Sequence, residues 1–320
     1  MRKLLAILPL LAGLGAMAAL MLCPETASES ARRGLKICGE MLIPSLLPFF
    51  VMSALLRAWG LPGVLGRLLG GVTARIWGMS GAGVSAFLLG ITGGYPLGAA
   101  TIGQLRRDNE ISREEAQRAL CFCNNTGPAF LIGAAGAGVF HSSGIGLLLY
   151  GSHVLAAALI GMVTAPGKQL SIPAERTYIS VAGFSEALTN AVKTSVETLL
   201  TVCGFVVIFS VMTGLLQNEI FHFAGLLSAN TGVELTAVKA LLTGLLELGG
   251  GLGSMEGLAP TVENLALAAF LIGFGGISVQ AQSAAVLRGT DLKLTVPFLC
   301  KLAHGMLSAL LTVLFFDFFS

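Results

Sequence analysis

Leu88-Leu89-Gly90-Ile91-Thr92-Gly93-Gly94-Tyr95-Pro96-Leu97-Gly98 is an apolar run broken in its middle by glycines, a tyrosine and a proline. A second such stretch, Leu245-Leu246-Glu247-Leu248-Gly249-Gly250-Gly251-Leu252-Gly253, lies in the other half of the chain. A helix needs about 20 apolar residues to cross a bilayer, and neither stretch offers that many without interruption. Each is therefore read as two half-helices meeting at a turn, a re-entrant hairpin. Paired interrupted segments at corresponding places in two halves point to a transporter-type binding site.

Composition agrees. Of 320 residues 54% are hydrophobic and 11% charged, and the mean hydropathy is +0.83. A soluble domain carries about 25% charge, so most of this surface faces lipid. The fold class is an all-α polytopic membrane protein whose main partner is the lipid bilayer. A net charge of +2 without a basic stripe gives no nucleic-acid surface. Six cysteines lie mostly in apolar runs, and Cys121-x-Cys123 lacks the His or Cys partners of a metal site. They read as small apolar packing residues, with no metal or cofactor expected. No Walker loop, His-Glu-x-x-His or Gly-x-Ser-x-Gly is present, so no enzyme is expected.

In chain order, residues 1–35 give an N-terminal transmembrane helix (4–22, uncleaved) and an external loop. Residues 36–165 form a first repeat. It holds a crossing at 36–59, an interfacial helix at 61–78 with Trp77 at headgroup level, and the hairpin at 81–105. Ser112 and Glu115 then form a capping box for a helix that breaks at Cys121–Pro128, since proline removes a donor and clashes with the turn before it. The helix resumes at 130–140, and 145–165 closes the repeat. A polar cytoplasmic linker, 166–178, precedes a second repeat over 179–320. That repeat has an interfacial helix at 179–193, a span at 194–217, an amphipathic piece at 219–230 and the hairpin at 235–255. A helix broken around 273–283 and a last span at 294–316 complete it.

The duplication shows in residue matches at drifting offsets. Val51-Met52-Ser53 matches Val211-Met212-Thr213 at 160, Leu88 matches Leu245 at 157, Phe122 matches Phe274 at 152 and His153 matches His304 at 151. Each repeat crosses three times, so the second starts from the opposite face and the repeats are inverted. Cytoplasmic loops collect Lys and Arg. With the N-terminus cytoplasmic and the C-terminus extracytoplasmic, 13 of the 19 basic residues fall inside, including Arg57, Arg106, Arg107, Arg113 and Arg288, against 4 outside. The expectation is seven crossings and two hairpins in the cell membrane.

Two hairpin tips and two broken helices would meet near mid-bilayer. They would deliver Thr92, Tyr95, Asn124, Asn125, Thr126, Glu247, Ser278, Gln280, Gln282 and Ser283. This set of amides and hydroxyls with one acid suits an uncharged or cationic small polar solute, or a coupling Na+ or H+, better than an anion. The plainer account is that these groups satisfy backbone freed at the breaks. Glu247 stands out, because an ionisable group at bilayer depth is costly; the alternative is that it snorkels to the surface. His153 and His304 read as packing residues that bond a neighbour, and Lys193, Glu197 and Lys301 as snorkelling side chains near span ends.

At Gly93-Gly94-Tyr95-Pro96-Leu97-Gly98 and Cys123-Asn124-Asn125-Thr126-Gly127-Pro128-Ala129-Phe130 the chain resembles the YlbJ family. These are sporulation integral membrane proteins with a nucleoside-recognition gate domain. It is more distantly similar to concentrative nucleoside transporters, spore maturation proteins A and B, and the membrane part of ferrous-iron transporters. The resemblance covers essentially the whole chain. It implies a membrane protein of the sporulating cell, linked to making the spore cortex, on a fold that moves a hairpin-containing domain against a scaffold. The Gln-Thr-Glu hairpin signature of the nucleoside transporters has no match at Thr92–Gly98, so no substrate residue is carried over. Two functions follow: a secondary transporter or gated pore for a small polar solute, or a transport-inactive structural or assembly protein that kept the fold. Nothing in the sequence opposes a homo-oligomer.

Overall fold

The structure is a computed structural model and describes residues 2–165 and 183–318; the expected linker at 166–178 lies outside the described residues. All regular structure among these residues is helical. Four helices are long and apolar enough to cross a membrane, or up to six if each of two bent pairs is one span.

Helix α1 (Arg2–Leu22) turns by 101° into α2 (Pro24–Ile37). One wide π-helical turn at Cys38–Leu42 then joins α2 to α3 (Ile43–Ala58). The stretch expected as an external loop is thus helix. At 1.5 Å per residue the continuous helix 24–58 is about 50 Å long, against about 30 Å of hydrocarbon. One end must stand in water, and α2, with Glu25, Glu29, Arg32, Arg33 and Lys36, is the end suited to it.

Helix α4 (Leu61–Trp77) bends by 85° into α5 (Gly81–Gly93), the first arm of the first hairpin, and α6 (Leu97–Arg107) is the second. Trp77 is half-buried. Its ring packs on Phe87 and Phe122, and its indole N–H donates to the Ala158 carbonyl at 3.1 Å. Helix α7 (Arg113–Ala119) starts at Ser112, whose hydroxyl accepts from Glu115 N at 3.1 Å. Only half of the capping box forms. The Glu115 carboxylate turns instead to Ser80, accepting from its N–H at 2.7 Å and its hydroxyl at 2.6 Å, and so anchors the start of α5. After the break, a π-helical segment (Ala129–Val139) leads to α8 (Ser143–Val163).

The second half repeats this order. Helix α9 (Phe184–Leu215) is one continuous helix, so its first turns replace the separate interfacial helix expected there. Then follow α10 (Gln217–Thr231), the hairpin arms α11 (Leu235–Leu246) and α12 (Leu248–Gly253), the broken pair α13 (Val262–Phe274) and α14 (Gly276–Val286), and α15 (Thr295–Phe315). The second hairpin bends at Glu247, so its turn sits opposite Gly94–Pro96, about 153 residues on rather than 157.

Helices α2–α3 and α9 pack side by side. Gly34 meets Val207 and Ser210, Cys38 donates to the Cys203 carbonyl at 3.7 Å, and Leu55 clusters with Ala187 and Ala191. Rising numbers on one helix meet falling numbers on the other, so the pair is antiparallel. Against this wall lie the first hairpin and α14.

The basic residues between α6 and α7 meet the loop after α14. Arg106 grips Asp291 through Nε at 3.0 Å and Nη2 at 3.1 Å, and Arg113 approaches it at 3.6 Å. Arg107 donates to the Val286 and Arg288 carbonyls, both at 3.3 Å. One arginine-rich face results, its charge offset in part by Asp108, Glu110, Glu114 and Asp291. The Arg106 hydrogen bond holds the Asp291 carboxyl below the usual carboxylate range. A depressed carboxyl stabilises above its unfolded pKa of about 3.9, and that contribution is lost as pH falls through the lower folded value. Asp291→Asn is expected to lower the thermal midpoint slightly in low salt at pH 7 and not at all in high salt, because exposed pairs are weak and screened. Identical midpoints in low salt would rule out a stabilising role for this clasp.

Candidate functional site

The site is built where helices stop. Between Leu120 and Gly127 the chain is not helical, and Gly90 and Gly98, one on each arm of the first hairpin, close on the buried Cys123 carbonyl. A Cβ at Gly90 would lie 1.9 Å from that oxygen, and one at Gly98 would lie 2.0 Å from it. Side chains from the break then satisfy neighbouring backbone. Asn124 Oδ1 accepts from Ala99 N at 3.3 Å in the first turn of α6, and Nδ2 donates to Ser283 Oγ at 2.8 Å on α14. Asn125 Nδ2 donates to the Phe122 carbonyl at 2.7 Å.

The second break frees carbonyls at the end of α13, as every helix end does. Gly275 and Gly276, with φ of 83° and 75°, make the left-handed turn there. The Tyr95 hydroxyl is shared between the Ile272 carbonyl at 3.2 Å and the Gly273 carbonyl at 3.3 Å. Thr126 Oγ1 reaches Ile272 at 3.4 Å, and Gln280 Nε2 donates to Phe274 at 3.1 Å. The hairpin tip and both breaks are therefore locked together.

Behind the breaks lies a group that sequence reasoning placed at a span end. Lys301 is 2% exposed. Its Nζ donates to the Asn124 carbonyl at 2.9 Å and contacts His304 Nδ1 at 2.7 Å, with the Tyr95 ring face 5.1 Å away. His304 Nε2 lies 2.9 Å from the His153 carbonyl, and His153 Nε2 accepts from Thr126 N at 3.1 Å. The two ring centroids are 4.4 Å apart, with the planes tilted by 35°. The bonds fix the tautomers: His153 accepts at Nε2, and His304 donates at Nε2 and so accepts at Nδ1. The histidines bond neighbours as expected, but Lys301 does not snorkel. Its spacing carried the signal: three residues before His304 puts it on the same helical face.

Thr92, Tyr95, Thr126, Glu247 and Gln282 line one cavity of about 80 Å³, walled by Leu46 and Phe49 of α3 and Val202 and Val206 of α9. That volume admits a few waters or a small group, since one water needs about 10–15 Å³. Glu247 is 6% exposed, which excludes snorkelling. It caps α12 by accepting from Gly249 N at 2.9 Å and from Gly250 N. Asn124, Asn125, Ser278 and Gln280 do not line this cavity. The first two and Gln280 bond backbone as described, and Ser278 accepts from Gln282 Nε2 at 3.2 Å.

Sequence reasoning missed a second cavity, of about 220 Å³, on the basic side of the first. Arg57, Thr101, Gln104, Arg107, Ser195 and Thr198 are among its lining residues. The buried Arg57 Nε and Thr101 Oγ1 have no hydrogen-bond partner among the described residues. No local pattern marks these residues; only the pairing of α3 with α9 and α6 brings them together. Among the described residues no cluster of His, Cys, Asp or Glu has the makings of a metal site.

Residues 40–166 match the family model described as "Gate: Nucleoside recognition". The sporulation integral membrane protein YlbJ of Bacillus subtilis (strain 168) is 31% identical, over 91% of this chain and 78% of that protein. No solved structure matches the chain. With this length of alignment at this identity, joined to an all-helical multi-pass architecture, the chain belongs to the YlbJ family of sporulation integral membrane proteins.

Proposed function

We propose that this protein is a secondary transporter or gated pore that moves a small polar solute across a membrane of the sporulating cell, for spore cortex formation. The observation that carries the reading is the pair of cavities stacked along one seam, between the α2–α3/α9 wall and the hairpin with α14. Buried polar groups are normally paired, so unpaired ones facing a cavity call for a guest. In the basic-side cavity these are Arg57 and Thr101. With Glu197 on the same lining, this mixed set suits a neutral or zwitterionic polar solute. Glu247 is the candidate site for a coupling Na+ or H+. The antiparallel α2–α3/α9 pair supports inverted repeats, and the basic face supports a cytoplasmic N-terminus with an extracytoplasmic C-terminus.

The test is ligand-dependent thermal stabilisation and proteoliposome uptake across nucleosides, amino sugars, peptidoglycan precursors, small carboxylates and metal ions. One class is expected to raise the midpoint, and Glu247→Gln to abolish its ion-driven accumulation while the protein stays folded. The reading as a transport-inactive assembly protein has one observation in its favour: Asn124 Oδ1, Asn125 Nδ2, the Tyr95 hydroxyl and Gln280 Nε2 are each spent on backbone. Silence from every solute class with well-folded protein would decide for it.

A further inference from the structure

The two cavities share the same three walls. On α3, Leu46 and Phe49 line the first and Ala54 and Arg57 the second. On α9, Val202 and Val206 face the first and Thr198 and Thr194 the second. On α14 the order is Val279 and Gln282, then Ala285 and Val286. Along every wall the numbering passes from one cavity to the other within a turn or so of helix. Phe50 of α3 and Leu97 at the start of α6, both on the lining of the second cavity, cluster with Leu199 of α9 at 3%, 5% and 4% exposure, at the level on α3 and α9 where one cavity gives way to the other.

We infer that the cavities are two ends of a single solute path, closed here by a plug of Phe50, Leu97 and Leu199. This rests on the transport reading above and names its constriction. An apolar constriction excludes water and polar solutes by dewetting, with no charge needed to close it. Leu97 is the moving part the geometry offers. It follows directly on the hairpin tip at Gly94–Pro96, while Phe50 and Leu199 belong to the long wall helices. Withdrawal of the tip would carry Leu97 out of the plug, and Tyr95 off the Ile272 and Gly273 carbonyls, in one motion.

The test uses the full chain in proteoliposomes with two probes, erythritol followed by osmotic swelling and chloride followed by conductance. Wild type is expected to be as tight as protein-free vesicles. Phe50→Ala with Leu97→Ala should raise both permeabilities on the order of tenfold or more. Phe50→Trp should stay tight. A folded, monodisperse double variant that admits neither probe overturns the inference. If that variant does not fold, single cysteines decide. Leu46→Cys and Ala54→Cys are exposed to a membrane-impermeant thiosulfonate from each face, and the modified residue is identified by mass spectrometry. Modification from opposite faces supports one plugged path, and modification of both from the same face overturns it. Leaky plug variants with a wild type that takes up no tested solute would leave the path standing and remove the transport reading.

Discussion

Lys301→Ala is expected to be among the most destabilising substitutions in the protein. It deletes a fully buried four-carbon stem and leaves two acceptors, the Asn124 carbonyl and His304 Nδ1, without their donor. Large-to-Ala changes in packed interiors cost about 2–5 kcal/mol, and each buried polar group left unpaired about 1–3 kcal/mol. The two contributions separate by comparison with Lys301→Met, which keeps most of the volume and loses only the bonds. Exchanging a buried charged group for an apolar one can be neutral when its partners go too, but here they stay. The expected order of thermal midpoints in detergent is wild type, then Met, then Ala. Equal midpoints for wild type and Met would mean that the Asn124 and His304 bonds contribute nothing net.

Gly98→Ala, and Gly90→Ala with it, should prevent the first hairpin from seating on the broken helix. The added methyl at Gly98 would meet Cys123 O at 2.0 Å, Cys123 C at 2.7 Å and the Asn124 Cα at 2.9 Å. All three are backbone atoms that cannot rotate away. Overpacking a rigid site costs about 1–3 kcal/mol and sometimes more, and the upper end is expected here because the break itself would have to move. Gly204→Ala, in the middle of α9 with open space where its Cβ would be, is the control. It should gain about 0.5–1 kcal/mol from helix propensity. Thermal midpoints of the three variants read the contrast directly. A Gly98→Ala protein as stable as wild type would mean that the hairpin does not close on the Cys123 carbonyl.

The class of fold and the places where helices stop were legible because both follow from local chemistry. Apolar runs cannot stay helical through Gly93-Gly94-Tyr95-Pro96 or through Asn124-Asn125-Thr126-Gly127-Pro128. The second hairpin's turn was less legible. Gly249, Gly250 and Gly251 permit a bend at several positions, and the bend falls at Glu247, whose carboxylate caps the half-helix that follows. Helix α2 was hidden by its polarity: with Glu25, Glu29, Arg32, Arg33 and Lys36 it has the composition of a loop and the hydrogen bonds of a helix. The site divided along the same line. Tyr95, Thr126, Glu247 and Gln282 reached a cavity because they flank the interruptions. Arg57 and Thr101 were out of reach because only tertiary pairing gives them their neighbours, and of the partners of Lys301 only His304, on the same helical face, was legible.

Side by side and antiparallel, α2–α3 and α9 cancel each other's axial dipoles. Each helix alone presents roughly half a positive charge at its N-terminus and half a negative charge at its C-terminus, and in this pair the opposite ends lie together. The long wall of the seam is therefore electrically flat along its length. Whatever field a charged particle meets beside it comes from the short half-helices, the Glu247 carboxylate and the arginines at one mouth. Arg57 and Glu197 are fixed to the wall itself, while the half-helices, Glu247 and Arg107 lie opposite it, so the potential along the seam can change when the hairpins shift while the wall stays still.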